Sequence, residues 1–216
     1  MTKRKENLGL AGEYFITSEL LLRDFYAQPT FGKMKKMDLL IVNLEKEESS
    51  LKIIEVKASQ EQKKIPMVKG IPLKPNYLII FLDYENKLPN EKPDIYILNS
   101  NDWFNFLKIR ITEIVDNWKA KKPPEKRKGK IRGPNDRSLW IYTRPNSILQ
   151  EIRENEKIKY FMEDPNSNTS IKIASIKESE GKVKWKNPKG ATGIDVPIRL
   201  IKNYKVEYDK EWEKLF

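Results

Sequence analysis

The chain of 216 residues contains 42 lysines and arginines, 31 aspartates and glutamates, and neither cysteine nor histidine. The missing thiol and imidazole groups exclude disulfides, thiolate zinc sites, cysteine nucleophiles, serine–histidine triads and histidine-ligated metals. The net charge of +11 favours nucleic acid as a partner and an acidic membrane surface second, although an AT-rich genome would give the same lysine-rich composition.

Further exclusions concern membranes, export and nucleotide cofactors. No apolar run approaches the roughly 18 residues that span a bilayer, and no cleavage site of small residues follows the basic N-terminus. We therefore expect a cytoplasmic, intracellular protein that binds no membrane. The common glycine motifs that bind phosphates are absent, so no nucleotide cofactor is expected. Any catalysis must depend on carboxylates, lysines and a hard cation such as Mg²⁺.

The first predicted element is a helix over 8–27, which Asn7 could cap. Gly9 and Gly12 lower its helix propensity, but they would let the helix approach another element closely. Apolar residues recur at helical spacing and form the predicted buried stripe, namely Leu8, Ala11, Phe15, Leu22 and Phe25.

A run of strands is predicted after this helix. The pattern indicates strands at 37–43 and 51–58, joined by the polar hairpin connection EKEESS. Prolines make 60–76 a loop or a broken helix. The nearly continuous apolar run at 77–83 is typical of a central strand that is buried on both faces.

A strand at 94–99 and a second helix, from Asn101 or Asp102 to about residue 118, complete this half of the chain. The order of helix, strands and helix predicts an α/β fold in which helices flank a mixed sheet. We expect residues 1–118 to form one domain.

Composition changes abruptly at residues 119–132, KAKKPPEKRKGKIR, which are rich in lysine and arginine. Paired prolines and a glycine favour a basic linker or an exposed loop there. Residues 133–216 are predicted to form a small α+β region for nucleic-acid recognition or dimerisation, either as a separate domain or as a lobe of the first. A helix is expected near 146–160. Strands are expected at 138–143, at 170–177 and 182–187 with a glycine turn between them, and at 195–201.

The candidate catalytic residues include one Glu-x-Lys pattern. This pattern is common in a chain with 34% charged residues, and three of its four occurrences lie in polar turns. The exception is Glu55–Lys57, which lies in an apolar strand, so both side chains project from the same face. If strands 37–43 and 51–58 pair as a hairpin, Asp38 lies beside them. Two carboxylates that converge at a sheet edge repel each other, which makes a cation the natural third component.

A magnesium site would fit this constellation. Asp38, Glu55 and the Val56 carbonyl group could hold Mg²⁺, or Mn²⁺ in its place. Such an ion polarises a phosphodiester and supplies a hydroxide nucleophile. Lys57 could orient or deprotonate the attacking water, or stabilise charge on the pentavalent phosphate. The ordinary alternatives are a turn residue at Asp38 and a surface ion pair between Glu55 and Lys57.

Three short motifs follow one another on the predicted first helix and the next two strands: Gly12-Glu13-Tyr14-Phe15, Met37-Asp38-Leu39-Leu40 and Ile54-Glu55-Val56-Lys57. Together they resemble the PD-(D/E)xK nuclease superfamily, which includes type II restriction endonucleases and archaeal Holliday-junction resolvases. The resemblance covers roughly residues 8–110. Asp38 and Glu55 are 17 positions apart, within the family's range, and Met37 stands where the family usually has proline.

The resemblance implies a restriction-endonuclease-like fold and a role for each site residue. Asp38 and Glu55 would bind the metal directly, and Lys57 would be the catalytic lysine. Glu13 would help to bind the metal or its water. The alternative for Glu13 is a solvated glutamate on the helix surface.

Basic residues near the site and in the linker are candidates for contact with DNA phosphates, although each could equally be a solvated side chain. Several such contacts would make binding fall steeply with salt, with a slope of about −0.9 per contact. Trp140, Trp185 and Trp212 could stack on bases, but core packing explains them more simply. The basic candidates are Lys33, Lys35, Lys36, Lys126, Arg127, Lys128, Lys130 and Arg132.

These observations predict a Mg²⁺-dependent endonuclease that hydrolyses DNA phosphodiester bonds, and a homodimer that provides one active site for each strand. A restriction-type enzyme is favoured over a Holliday-junction resolvase or another structure-specific repair nuclease, because the chain continues well beyond the nuclease fold. Two alternatives remain open, namely a non-catalytic nucleic-acid-binding protein and an RNA-processing nuclease with the same centre.

Overall fold

The computed structural model describes residues 2–30, 37–43, 50–60, 64–67, 70–85, 87, 91–120, 146–166, 169–185, 194–207 and 212–215. The helices in these segments are α1 (Thr2–Leu21) and α2 (Ser100–Lys119), with 3-10 turns at Ile198–Leu200, Lys202–Tyr204 and Trp212–Leu215. The strands are β1 (Tyr26–Pro29), β2 (Leu39–Asn43), β3 (Ser50–Ser59), β4 (Lys64–Met67), β5 (Tyr77–Asp83), β6 (Asp94–Asn99), β7 (Ile148–Glu154), β8 (Lys157–Asp164), β9 (Thr169–Lys177), β10 (Lys182–Trp185) and β11 (Ile194–Pro197).

The central sheet contains five strands in the order β1-β2-β3-β5-β6. β3 and β5 are parallel, and the other neighbouring pairs are antiparallel. The described part of the chain is therefore α/β with a mixed sheet, as the sequence predicted. β5 and β6 begin and end at the predicted residues, because uninterrupted apolar runs bounded by polar turns leave little choice of register.

The two helices cover opposite faces of this sheet. Alternate residues of β5 belong to two different hydrophobic clusters. Leu78 and Ile80 pack in the cluster that contains α1. Ile79 and Phe81 pack in the cluster that contains α2. Each cluster is fully screened from solvent at its centre. The sheet is thus buried on both sides, which is the condition that its apolar central strand requires.

The predicted first helix differs from α1 at both ends. α1 begins at Thr2, so Asn7 lies within the helix and does not cap it. α1 ends at Leu21, and the backbone N–H groups of Asp24 and Phe25 bond to the carbonyl groups of Leu21 and Leu20. Asp24 has a φ of 63°, the left-handed conformation that closes a helix in this hydrogen-bond pattern and that aspartate tolerates better than most residues. The chain then turns into β1, an edge strand that the sequence pattern did not reveal.

Part of the predicted loop at 60–76 is also a strand. β4 pairs antiparallel with β11, so that Ile65 lies opposite Val196 and Met67 opposite Ile194. The prediction was wrong here because, among the described residues, the strand that pairs with β4 lies far along the chain, where no local pattern reveals it. Pro66 is acceptable in this two-stranded ribbon, since within the described segments each of its strands pairs along one edge.

A second sheet of four antiparallel strands, in the order β10-β9-β8-β7, follows residue 146. The helix predicted near 146–160 is wrong, because β7 and β8 form a hairpin there. Asn155, with a φ of 50°, turns the chain between them. Buried residues alternate with more exposed ones along β8, which is the period of two that a strand requires. The sequence did not reveal this period, because the apolar residues of 146–160 occur at mixed spacings. The predicted strand at 138–143 lies outside the described residues.

The predicted glycine turn between β9 and β10 is confirmed. Gly181 has a φ of +54°, and a Cβ atom built there would lie 1.4 Å from the Ile71 carbonyl oxygen. The Trp103 indole nitrogen of α2 donates a hydrogen bond of 2.7 Å to the Gly181 carbonyl oxygen. Only glycine fits this contact, which brings the second sheet against α2.

α2 and the four-stranded sheet share one hydrophobic cluster. Trp103, Phe106 and Phe81 belong to it together with Tyr160 and Ile176 of the second sheet. The predicted domain boundaries near residues 118 and 133 stay predictions, because residues 121–145 lie outside the described segments. No helix among the described segments is both long enough and apolar enough to cross a membrane.

Candidate active site

The backbone of β2 and β3 holds Asp38 beside Val56. The Asp38 N–H donates to the Ile54 carbonyl oxygen at 2.8 Å. The Val56 N–H donates to the Asp38 Oδ2 atom at 2.7 Å. This follows from the antiparallel register in which Leu39 lies opposite Ile54. The predicted hairpin is therefore present, and it brings Asp38 to the middle of β3.

Glu55 and Lys57 project from one face of β3, as their spacing predicted. The Lys57 ammonium lies 2.7 Å from the Glu55 Oε1 atom and 3.7 Å from the Asp38 Oδ2 atom. It also donates a hydrogen bond of 3.0 Å to the Val56 carbonyl oxygen. One cationic nitrogen thus lies among the three groups that the sequence predicted as metal ligands.

Burial differs sharply among these side chains. The Glu55 side chain is 3% exposed, whereas those of Lys57 and Asp38 are 30% and 23% exposed. Glu55 is therefore at the base of the site, and Asp38 and Lys57 face solvent. A carboxylate this deeply buried keeps its charge only if a cation compensates its lost hydration.

α1 brings a further carboxyl group to the site through a close contact at Gly12. A Cβ atom built on Gly12 would lie 3.0 Å from Leu82 Cδ1 and 3.2 Å from Ala58 Cβ. The missing side chain therefore lets α1 lie close against β3 and β5, as predicted for this glycine. The same expectation for Gly9 is wrong, since a Cβ atom there would have nothing within 4 Å.

The electrostatics of Glu13 place it within reach of the site. Burial raises the pKa of the Glu13 carboxyl, the negative charge of Asp38 raises it further, and the positive charge of Lys57 lowers it. Both charges act over distance on a half-buried side chain. Glu13 therefore lies near enough to Asp38 and Lys57 for their charges to shift its pKa, unlike an isolated glutamate on the helix surface.

The arrangement includes one residue that sequence reasoning missed. The Thr30 hydroxyl donates to the Met37 carbonyl oxygen at 2.6 Å, and its N–H donates to the Asp38 carbonyl oxygen at 2.9 Å. Thr30 thus fixes the backbone at the position where the family usually has proline. No local signal could have revealed it, because β1, which precedes Thr30, was itself not predicted.

The metal hypothesis meets one negative observation. Within the described segments, no three acidic side chains lie together as a ready-made cation site. Two carboxylates, those of Asp38 and Glu55, contact the Lys57 ammonium instead, at 3.7 Å and 2.7 Å. Asp38, Glu55 and the Val56 carbonyl could hold a metal if the Lys57 side chain moved aside. Glu13 could add an oxygen ligand directly or through water.

The predicted contacts with DNA have a different outcome. Trp212 is 4% exposed and Trp185 packs against the core, so the simpler explanation holds for both, and Trp140 lies outside the described residues. The predicted phosphate-binding residues also lie outside them, namely Lys33, Lys35, Lys36, Lys126, Arg127, Lys128, Lys130 and Arg132.

Comparison with known proteins finds no matching family model, no similar curated protein and no similar solved structure. The functional argument therefore rests on the geometry of Glu13, Asp38, Glu55 and Lys57 and on the resemblance of their motifs.

Proposed function

We propose that the protein is a Mg²⁺-dependent endonuclease that hydrolyses DNA phosphodiester bonds. One observation carries the proposal: Asp38, Glu55 and the Val56 carbonyl group surround a single cationic nitrogen, that of Lys57. The short sequence motifs and their order along the chain support it. The net charge of +11 supports an anionic substrate.

The residues present fit a hard divalent cation. All three groups around the Lys57 nitrogen offer oxygen atoms, which Mg²⁺ and Mn²⁺ prefer. The position of the Lys57 ammonium is one where a positive charge is stable, because there it forms an ion pair with the buried Glu55 carboxylate. Lys57 is only partly buried and has a flexible stem, so it can leave this position without unfolding the strand. Glu13 is the further oxygen donor in range of these charges.

Each side chain then has a distinct task. When bound, Mg²⁺ supplies a Lewis acid for the phosphodiester and lowers the pKa of a water molecule. Asp38 and Glu55 hold the cation, and the Val56 N–H fixes the orientation of the Asp38 carboxylate. Lys57, displaced toward solvent, neutralises charge on the phosphate or orients the attacking water. Glu13, whose pKa is raised, is suited to hold a proton or a water molecule at the rim.

The same contacts also favour one rival function, a non-catalytic nucleic-acid-binding protein. A buried Glu55–Lys57 pair at 2.7 Å satisfies both charges without any metal. On that account the pair is structural, and removing Asp38 would leave every activity unchanged.

The test is cleavage of supercoiled plasmid by wild type, Asp38→Asn and Glu55→Gln, with Mg²⁺ or with EDTA. We expect wild type to cut with Mg²⁺ only, and both variants to lose most of the activity. Glu180→Gln is the matched control, because Glu180 and Lys182 form the same Glu-x-Lys ion pair at 2.8 Å on an exposed turn. Cleavage by Asp38→Asn at the wild-type rate would contradict the proposal, and discrete bands would favour a restriction-type enzyme. Branched DNA and RNA are the substrates to try if plasmid stays intact, and failure on all of them would leave the binding protein.

A further inference from the structure

α1 carries apolar side chains on two faces, about 120° apart around the helix axis. Ile16 and Leu20 are fully buried against the sheet. Leu10, Tyr14 and Leu21 point away from it and are 51%, 53% and 50% exposed. At 3.6 residues per turn these three lie within about 40° of one another around the helix axis. They form an apolar row on one side of the helix, which we call the α1 stripe.

The α1 stripe is large enough to matter for association. Two further exposed apolar residues follow the helix, namely Leu22, which is 75% exposed, and Tyr26, which is 51% exposed. From these fractions the five side chains expose on the order of 500 Å², since an aromatic residue has about 150–250 Å² to bury. A stable interface buries about 800 Å² on each partner, part of it polar rim. The stripe supplies the apolar centre of such an interface.

Charge decides which partner this surface fits. From Asn7 to Leu22 the chain contains neither lysine nor arginine, although it has 42 of them in total. Nucleic acid and acidic lipid headgroups are recognised by basic side chains, which this face lacks. In a chain of net charge +11 it is also a face where two copies can meet without bringing lysines together.

The stripe is complementary to itself in one orientation. Leu10, Tyr14, Thr17 and Leu21 follow a spacing of four, three and four residues, the repeat of packed helix pairs. Thr17 is recessed, 7% exposed, with its hydroxyl bonded to the Glu13 carbonyl oxygen at 2.8 Å. An antiparallel copy places Leu10 opposite Leu21 and sets the projecting Tyr14 ring over the recess at Thr17. A two-fold axis then repeats both contacts.

We propose that the α1 stripe is a homodimer interface in which two α1 helices pack antiparallel. Glu13 lies about 60° around the helix from Leu10 and about 4 Å along the helix axis from the midpoint of the stripe. The two-fold axis therefore brings the two candidate active sites to the same side of the helix pair. The proposed cleavage of both DNA strands would use this arrangement, but the association itself does not depend on catalysis.

The mass of the full-length chain in solution tests the interface, without DNA or metal. Wild type should sediment as a dimer of twice 25.5 kDa at about 50 μM, and Leu10→Glu should sediment as a monomer. Ile109→Glu is the matched control: Ile109 is 53% exposed on α2, and its variant should remain dimeric. Wild type that stays monomeric at about 100 μM, or a Leu10→Glu variant that stays dimeric, would overturn the proposal. A monomer that binds lipid vesicles or another protein would assign the stripe to that partner.

Disulfide trapping tests the orientation, and it is clean because the chain has no cysteine. Under mild oxidation, Leu10→Cys/Leu21→Cys should give covalent dimers, and Leu10→Cys alone should give few. The reverse result would indicate a parallel pair and overturn the proposed packing. Plasmid cleavage by these variants is read separately, so a dimer without nuclease activity would refute the proposed function and leave the interface standing.

Discussion

Replacing Lys57 with methionine removes the cation from the buried Glu55 carboxylate and keeps most of the side-chain volume. Breaking a buried ion pair by removing one partner costs about 3–5 kcal/mol. Lys57 is 30% exposed, so water reaches the site and we expect the lower end of this range, about 3 kcal/mol. For a chain of this size, the loss corresponds to a fall in melting temperature of about 6–12 °C.

Magnesium should reverse much of this loss. In Lys57→Met the ammonium no longer competes for the oxygens of Asp38, Glu55 and Val56, so Mg²⁺ can take its place. Binding to the native state alone adds about 2.7 kcal/mol at 100 times the dissociation constant. The variant should therefore gain more stability from Mg²⁺ than wild type does.

Urea denaturation with and without Mg²⁺ measures both effects. Lys182→Met is the control, because it removes an ion pair of similar length whose side chains are 35% and 36% exposed, and such surface pairs contribute about 0–1 kcal/mol. Glu55→Gln/Lys57→Met should recover part of the stability, since no charge is then left buried. If Lys57→Met matches wild type to within about 0.5 kcal/mol and Mg²⁺ affects both equally, the role assigned to the Lys57 nitrogen is wrong.

Two further predictions concern α1. Burial raises the pKa of Glu13 above 4.5, so the native state holds this proton to higher pH than the unfolded chain does. The protonated Glu13 carboxyl therefore contributes stability that is fully present below its pKa in the unfolded chain. This contribution is lost as pH rises through the pKa of Glu13 in the native state. Without metal, Glu13→Gln should gain stability relative to wild type as pH rises through the unfolded and then the folded pKa of Glu13, and parallel stability curves would contradict this. Gly9→Ala should raise stability by about 0.5–1 kcal/mol, because nothing lies within 4 Å of the new Cβ atom. Gly12→Val should lower the stability by about 1–3 kcal/mol, because Ala58 and Leu82 already lie in contact distance of a Cβ atom at that position. Equal melting temperatures for Gly9→Ala and Gly12→Val would show that α1 does not pack closely against the sheet at Gly12.

The central sheet and the grouping of Asp38, Glu55 and Lys57 could be predicted because the deciding information is local. Side chains alternate along a strand, and a hairpin pairs neighbouring segments, so spacing alone brought these residues together. Glu13 was harder to place, since its proximity depends on how closely Gly12 lets α1 approach β3. The resemblance of its motif, not its position on the helical wheel, indicated it.

The errors arose where distant residues decide the local conformation. β4 is a strand because β11 pairs with it, and the sequence around Pro66 gives no sign of this partner. β7 and β8 have apolar residues at spacings that fit a helix as well as a hairpin, and the shared core with Trp103 settles the choice. The short strand β1 was lost for a similar reason, because the predicted helix was extended over it.

The pairing of β4 with β11 has a consequence for how the chain folds as it is made. Lys64 lies opposite Pro197, so the two strands are separated by about 130 residues of sequence. At about 5–20 residues per second, a ribosome needs roughly 7–26 s to synthesise that stretch. For this time the nascent chain exposes a strand without its partner, and an unpaired strand edge invites aggregation. The two-stranded ribbon can therefore form only after Pro197 has been synthesised, and β4 has no β11 to pair with until then.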